Sequence, residues 1–307
     1  MAKQNSEKTE KKQSVYEMVS TRFLKQLEKG SIPWQQPWTD AGPPQNLVSG
    51  RPYKGINVWL LSMLGYERNF FLTYDQVNAL GGRVKKGEKS HIVVYWKSKE
   101  VKDNETHQMV KKSFLMYYKV FNVAQCEGLE KDKIPLMPHP NDPIQACEDI
   151  VANMPSKPEI KNEATSAFYN PQHDYVNMPR MDQFYESDGY YFTLFHALIH
   201  STGHSSRLNR EEVMNFNNFG SEPFSMEALT AEIGACYLMS LTGIYIEDFK
   251  NNAAYIEGWI KKLQDDGRFI VFACSQAQRA VNFILNTKQE KKENEPSIAE
   301  IGDDLPF

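Results

Sequence analysis

The chain has 307 residues, of which 41% are hydrophobic and 12% aromatic, so it is long enough for about two domains with ordinary apolar cores. No apolar run approaches the roughly 20 residues needed to cross a bilayer, and the charged N-terminus has no apolar segment behind it. The four cysteines are scattered, which argues against disulfides and against a thiolate zinc site. We therefore expect a cytoplasmic protein without a membrane span.

The net charge of −4 hides an asymmetry between the two halves. Residues 1–134 carry 22 basic and 14 acidic side chains, a net charge of +8, whereas the remainder carries 13 and 25, a net charge of −12. A basic first half is a modest indication of a polyanionic partner.

The first half predicts a small α+β domain over residues 14–134, after a charged segment, 1–13, that is expected to be disordered. Ser14 and Glu17 form a capping box that starts a helix, and Gly30 ends it. A short helix over 74–80 leads into a glycine-rich basic turn and two strand-like runs, "HIVVYWK" and "SFLMYYKVFNVAQC".

Four prolines within residues 135–143 indicate a linker, and a second α+β domain is predicted over 144–287. It contains a strand candidate, "HDYVNMP" at 173–179, which is a possible edge strand for a peptide. Helices are predicted at about 188–202, 225–242, 252–264 and 271–285. The tail, 288–307, is charged, unpatterned and expected to be disordered.

His196 and His200 stand four residues apart on one face of a predicted helix, a spacing that lets two imidazoles share one Zn²⁺. This spacing is common by chance, and two half-buried histidines bonded to the backbone are the plainer interpretation. Where zinc peptidases place a glutamate after the first histidine, this chain has Ala197, which cannot take a proton from water.

A third metal ligand is predicted at Glu232, because its neighbours at three and four residues are all apolar and a buried carboxylate needs a partner. The alternative is an ion pair with an arginine such as Arg207. His204 is a rival ligand beyond the expected helix end at Gly203. Glu227 is interpreted only as a carboxylate that favours the helix dipole.

The basic half interleaves cations with aromatic residues, the combination that single-stranded nucleic acids require. Core packing is the alternative role of the aromatic residues. The candidate DNA contacts form two clusters: Arg51, Tyr53, Lys54, Asn57 and Trp59, and then Arg83, Lys85, Lys86, Lys89, Tyr95 and Trp96.

Many linked segments resemble the ArdC family of antirestriction proteins over residues 15–287. They include "IPWQQPW", "SGRPYKGIN" and "GGRVKKGEK" in the first half, and "HALIHSTGHSSRLNR" and "FGSEPFSMEALTAEIGACYL" in the second. The resemblance implies a single-stranded-DNA-binding domain followed by a zincin-like metallopeptidase domain in a bacterial host cell. It also implies His196, His200 and Glu232 as ligands of Zn²⁺, with Mn²⁺ or another divalent ion as alternatives.

The chain departs from the family pattern at Ala197, where the catalytic glutamate is expected, and at Ala228, where relatives often carry a second acid. Peptidase activity is therefore expected to be lost, either in an inactivated variant or in a member that kept only the scaffold. Whether the chain is an enzyme stays open.

The C-terminal sequence "EIGDDLPF" resembles the acidic tip of bacterial single-strand-binding proteins. Asp303, Asp304, Pro306 and Phe307 would engage an apolar pocket with a basic rim on a host protein. An ordinary acidic terminus is the alternative.

Three functions are consistent with the sequence: a DNA-binding antirestriction protein, a metallopeptidase acting on host defence or DNA-bound proteins, and a hub that binds a peptide without cutting it. The first is favoured, because Ala197 weakens only the second.

Overall fold

A computed structural model of the chain describes residues 13–35, 42–102, 108–129, 134, 143–215, 225–244 and 253–287. The N-terminal segment up to residue 12, residues 135–142 of the predicted linker and the tail from 288 lie outside these ranges. The predicted contacts of Asp303, Asp304, Pro306 and Phe307 therefore stay predictions.

The N-terminal capping box is confirmed in atomic detail. The Ser14 hydroxyl accepts from the backbone N–H of Glu17 at 3.1 Å, and the Glu17 carboxylate accepts from the N–H of Ser14 at 2.8 Å. These two bonds satisfy donors that the first helical turn leaves unpaired. They begin α1 (Val15–Leu27), which buries Val19, Phe23 and Leu27.

The rest of the first half is an α+β unit built on a four-stranded sheet in the order β1-β2-β5-β4. Its remaining elements are β1 (Gln45–Asn46), α2 (Ile56–Ser62), β2 (Phe70–Leu72), α3 (Tyr74–Ala79), β3 (Arg83–Val84), β4 (His91–Lys102), β5 (Met109–Asn122) and β6 (Cys126–Glu127). Strands β4 and β5 form a long antiparallel ribbon, from the pair His91 and Val120 to the pair Lys102 and Met109.

The second half places helices around a small three-stranded sheet. Its elements are α4 (Pro143–Asn153), β7 (Glu159–Lys161), β8 (Phe168–Asn170), β9 (Tyr175–Asn177), α5 (Ser187–Ser201), α6 (Glu211–Met214), α7 (Met226–Thr242), α8 (Ala253–Asp265) and α9 (Phe269–Ile284). The strand predicted at 173–179 exists as β9, but the suggestion that it is an edge strand is wrong. β9 is the central strand, parallel to β7 and antiparallel to β8, so its backbone groups already pair on both sides.

The largest apolar core joins the two halves of the chain. Trp34, in a 3₁₀ turn at Pro33–Gln35, packs edge-on against Trp259 of α8, with ring centroids 5.8 Å apart. Both indoles are fully buried in a cluster that contains residues of α1, α2, β4 and β5 together with α7, α8 and α9. The α+β class is confirmed, and the physical core crosses the predicted linker.

A second core lies within the C-terminal half, between α5, α7, α9 and the small sheet. At its centre α7 presents Gly234 to Ile199 of α5, so closely that a Cβ atom at residue 234 would lie 2.6 Å from Ile199 Cδ1. All four cysteines are buried and free. Within the described residues, no helix is long and apolar enough to cross a membrane.

We predict that Gly234→Ala destabilises the protein by about 1–2 kcal/mol. Overpacking a filled core costs about 1–3 kcal/mol, which outweighs the gain of about 1 kcal/mol from replacing a helical glycine by alanine. Urea unfolding measures the difference, and adding Ile199→Val, which removes the Cδ1 atom, should recover part of the loss.

The matched control is Gly189→Ala in α5, where the new Cβ would lie 3.7 Å from Phe184 Cδ1, an ordinary contact distance. This change should be neutral or stabilising by up to about 1 kcal/mol. Equal stability changes at residues 189 and 234 would contradict the close packing of α5 on α7.

Candidate metal centre and nucleic-acid interface

The two histidines predicted as metal ligands lie together on α5. Their ring centroids are 4.8 Å apart in an edge-to-face arrangement, and both side chains are half-buried. Burial and the neighbouring His200 lower the pKa of His196 to about 3. His196 is therefore neutral at physiological pH, the protonation state in which imidazole binds a metal.

His200 is oriented by a residue that the sequence analysis assigned only to the helix dipole. Glu227 Oε1 lies 2.8 Å from His200 Nδ1, and the Glu227 side chain is buried. A carboxylate on Nδ1 fixes the imidazole and directs metal coordination to Nε2, an arrangement common around bound metals. Burial raises the pKa of Glu227, but the charge and hydrogen bonds of Arg210 outweigh it and hold that pKa below its usual value.

Arg210 forms the buried ion pair of this site. Its guanidinium donates twice to Glu227, at 2.6 Å each, and also donates to Thr202 Oγ1 at 2.7 Å and to the Ile199 carbonyl at 2.8 Å. It therefore neutralises Glu227 and satisfies carbonyl groups at the C-terminus of α5. Arg210 thus fixes both the Glu227 carboxylate and the C-terminal end of α5.

Glu232 does not join the histidines. Its carboxylate accepts from Trp34 Nε1 at 3.0 Å, from Gln35 Nε2 at 2.6 Å and from the Tyr255 hydroxyl. Five residues of α-helix rotate a side chain by about 140°, so Glu232 and Glu227 point to different neighbours. Burial raises the pKa of Glu232, and the three donors only partly oppose that effect.

The proposed alternative partner of Glu232, Arg207, is also engaged elsewhere. Arg207 pairs with Asp174, which accepts a further bond from Tyr169 at 2.8 Å. His204 Nδ1 lies 3.9 Å from Asp174 and 2.8 Å from the Ser206 hydroxyl. This cluster ties the loop after α5 to the β8–β9 turn, and it accounts for His204 without a metal.

The described residues do not complete a three-ligand metal site. No group of three or more His, Cys, Asp or Glu side chains is close enough to hold a metal ion within the part of the chain that the structure describes. Two histidines and an orienting carboxylate fit such a site, but none of the described residues stands beside them as a third ligand. Ala197 is 4% exposed and belongs to the apolar core, so it offers neither a ligand nor a base.

The aromatic residues predicted to contact DNA are mostly structural. Tyr53 and Trp59 are 7% and 1% exposed, so neither presents a face to a base. Trp96 is half-buried and stacks on Phe272 with ring centroids 6.4 Å apart. The Asn57 amide bonds to both backbone groups of Val94 at 2.7 Å, so it anchors α2 to β4. Burial therefore corrects the predictions for Tyr53 and Trp59, whereas Asn57 and Trp96, which are only half-buried, stay predicted DNA contacts.

The predicted cations remain on the surface. Arg51, Lys54, Lys86 and Lys89 are exposed. Two other cations have protein partners: Arg83 donates to Glu127 at 2.7 Å, and the Lys85 ammonium donates to the Ala124 carbonyl at 2.7 Å.

One face of the β4–β5 ribbon carries both cations and aromatics, and of its members the sequence analysis singled out only Tyr95. Residues directly opposite each other on antiparallel strands share a face, and that face recurs every second residue. The register therefore places on one side a set that we call the tyrosine–lysine face: Tyr95, Lys97, Lys99, Lys112 and Tyr118. The sequence signal for this face is the occurrence of Tyr95, Lys97 and Lys99 at every second position of "YWKSK".

Comparison with known proteins agrees with this two-part architecture. The family model of the N-terminal domain of the anti-restriction factor ArdC matches residues 13–123, and that of the zincin-like metallopeptidases matches residues 145–276. A crystal structure of the metal-free antirestriction ArdC protein from the R388 plasmid has 35% identity and a TM-score of 0.70, covering 88% of this chain and 96% of that one. The chain belongs to the ArdC family of antirestriction proteins.

Other relatives extend the comparison. The Mn(II)-bound structure of the R388 ArdC protein is 32% identical, with a TM-score of 0.68, and covers 91% of this chain and 100% of its own. A DNA primase TraC of Escherichia coli is 34% identical over 93% of this chain, which spans about a fifth of that primase (21%). Protein y4eC of Sinorhizobium fredii is 29% identical, over 92% of this chain and 94% of its own length. The zincin-like fold and the Mn(II)-bound relative both suggest a divalent metal.

We predict that Glu232→Gln destabilises the metal-free protein by about 1–3 kcal/mol. The amide would turn its own NH₂ group toward donors that now meet a carboxylate, leaving buried polar groups unpaired. Urea unfolding in the presence of a chelator measures the loss.

The control is Glu257→Gln, an exposed carboxylate on α8, the helix that carries Tyr255; it should leave stability unchanged. If Glu232→Gln lowers stability only when a divalent metal is added, Glu232 is a ligand and the structural role assigned to it is wrong.

Proposed function

We propose that this chain is a single-stranded-DNA-binding antirestriction protein whose zincin-like domain no longer hydrolyses peptides. The observation that supports DNA binding best is the tyrosine–lysine face of the β4–β5 ribbon. Family membership supports the antirestriction role, in which the protein would coat entering single strands and shield them from host nucleases.

The tyrosine pair on this face suits stacking with bases. Tyr95 and Tyr118 are 43% and 39% exposed, and their ring centroids are 5.9 Å apart. Stacking of bases on such rings tolerates any sequence, because every base has a π-face. The pair stands beside the buried residues Val93 and Val120, which hold the ribbon to the body of the domain.

The lysines of the same face suit the phosphates. Lys97 and Lys99 are exposed beyond Tyr95 on β4, and half-buried Lys112 lies opposite Lys99 on β5. Within the described part of the ribbon the one acidic residue, Glu100, lies on the opposite face. A strand that crosses the tyrosine–lysine face therefore meets cations and rings without a repelling carboxylate.

Loss of hydrolysis follows from Ala197. A general base contributes about 10²–10⁴ to a rate, and the alanine methyl is packed in the apolar core. Peptidase action on host proteins is thus the weaker candidate for this chain, and peptide binding without cleavage is compatible with its fold.

The setting that we propose is the cytoplasm of a bacterial host entered by a plasmid or phage. Asp303, Asp304, Pro306 and Phe307 would there recruit host proteins that bind single-strand-binding-protein tips. Deleting residues 299–307 should remove such recruitment and leave single-strand affinity intact.

We predict that the triple variant Tyr95→Ala, Lys97→Ala, Lys99→Ala loses single-strand affinity by at least about 10-fold. One lost stacking contact costs about 1–3 kcal/mol. Two lost phosphate contacts should also reduce the slope of log affinity against log salt by about 1.4. Fluorescence anisotropy with a labelled oligothymidylate at several salt concentrations measures both effects.

The matched control is the triple variant Tyr117→Ala, Lys111→Ala, Lys102→Ala, which removes the same residue types and charge from the opposite face of the ribbon. It should bind nearly as tightly as the wild type. Equal losses in the two variants would refute the assignment of DNA binding to one face.

A further inference from the structure

We propose that this chain has also lost the metal of its zincin-like domain, because residue 228, the position able to supply a third ligand, is alanine. This inference rests on the C-terminal half alone. It is independent of DNA binding and of the missing base at Ala197.

The remaining parts of a metal centre are present. His196 and His200 lie side by side on α5, and Glu227 fixes the Nδ1 side of His200. Catalytic zinc sites generally use three protein ligands and keep a fourth position for water or substrate. Among the residues that the structure describes, the two histidines therefore leave the site one ligand short.

Neither nearby acid on α7 is available as that ligand. Both oxygens of Glu227 accept from Arg210, so its charge is already neutralised in a buried pair. The Glu232 carboxylate is bound by Trp34, Gln35 and Tyr255, and moving it to the histidines would take the acceptor away from one buried and two half-buried donors.

Residue 228 is the position on α7 next to the residue that already contacts the histidines. It follows Glu227, which contacts His200, and it precedes Glu232 by four residues, so it lies one turn below that side chain. Successive helical residues rotate by about 100°, which directs residue 228 between the Glu227 and Glu232 directions. Ala228 is only half-buried, so a longer side chain has room there.

A carboxylate at residue 228 would have another effect that an experiment must separate. Ser225 is the N-cap of α7, and its hydroxyl accepts from the N–H of Ala228 at 3.1 Å. Residue 228 is therefore the third position of the helix, where a glutamate completes a capping box and stabilises the helix without any metal.

The experiment compares the binding of Mn²⁺ and of Zn²⁺ to the full-length wild type, Ala228→Glu and Ala228→Gln. Isothermal titration calorimetry gives the affinity, and equilibrium dialysis with elemental analysis gives the stoichiometry. Ala228→Glu should bind one ion at least about 100-fold more tightly than the wild type, since even the loss of an outer partner of a ligand costs 10- to 100-fold. Ala228→Gln, of the same shape but uncharged, should resemble the wild type.

Two further variants test whether the gained metal affinity comes from the histidine site. Adding His196→Ala to Ala228→Glu should abolish the gained affinity, because the ion needs the histidines. Ala228→Asp provides a shorter carboxylate in case the glutamate disturbs folding, and circular dichroism reports that each variant is folded.

Tight, stoichiometric binding by the wild type, equal to that of Ala228→Glu, would overturn the proposal. So would a rise in thermal stability of Ala228→Glu in metal-free buffer with no gain in metal affinity, since the carboxylate would then act only as a cap. With unfolded protein as substrate, Ala197→Glu alone should stay inactive. Hydrolysis by that single variant would show that the wild type still holds a metal ion, and it would refute the inference. The proposal of DNA binding would be unaffected.

Discussion

A single buried carboxylate connects the two halves of this protein. Glu232 lies in the middle of α7, yet its acceptors are used by Trp34 and Gln35 from the first half and by Tyr255 from α8. A buried carboxylate needs such donors, and the donors are located where the Trp34 and Trp259 rings seal the shared core. The position of the N-terminal half on the C-terminal half therefore depends on this side chain, on the hydrogen bond from the Gly55 N–H to the Gln278 side chain, and on the apolar packing around them.

Three sides of helix α7 thus contact three different parts of the protein. Glu227, at its start, holds His200 and Arg210; Gly234 lets Ile199 approach the helix backbone; and Glu232 faces the N-terminal half. These roles explain why so much of α7 is buried and why it has little room for a polar side chain without a partner. Most of its buried positions are fixed by packing, whereas Ala228 at its edge is free of that constraint.

The local features of the fold could be predicted from sequence, and the long-range ones could not. The capping box at Ser14 and the histidine spacing on α5 depend on residues three or four apart, so both were read correctly. Burial of Glu232 was also anticipated from its apolar neighbours. The donors that bind Glu232 could not be predicted, because Trp34 lies 198 residues away in the sequence. The stacking role given to Trp59 failed for the same reason, since composition does not reveal which rings a fold buries.

The shared core has a consequence for how this unit can be inherited or dissected. Either half expressed alone would expose the apolar side of α1 or of α8 and α9, and exposed apolar patches favour aggregation. We therefore expect a gene rearrangement that separated the halves to yield two aggregation-prone fragments in place of two modules. The TraC primase matches 93% of this chain as one continuous block inside a much longer protein, as expected if both halves can only travel together.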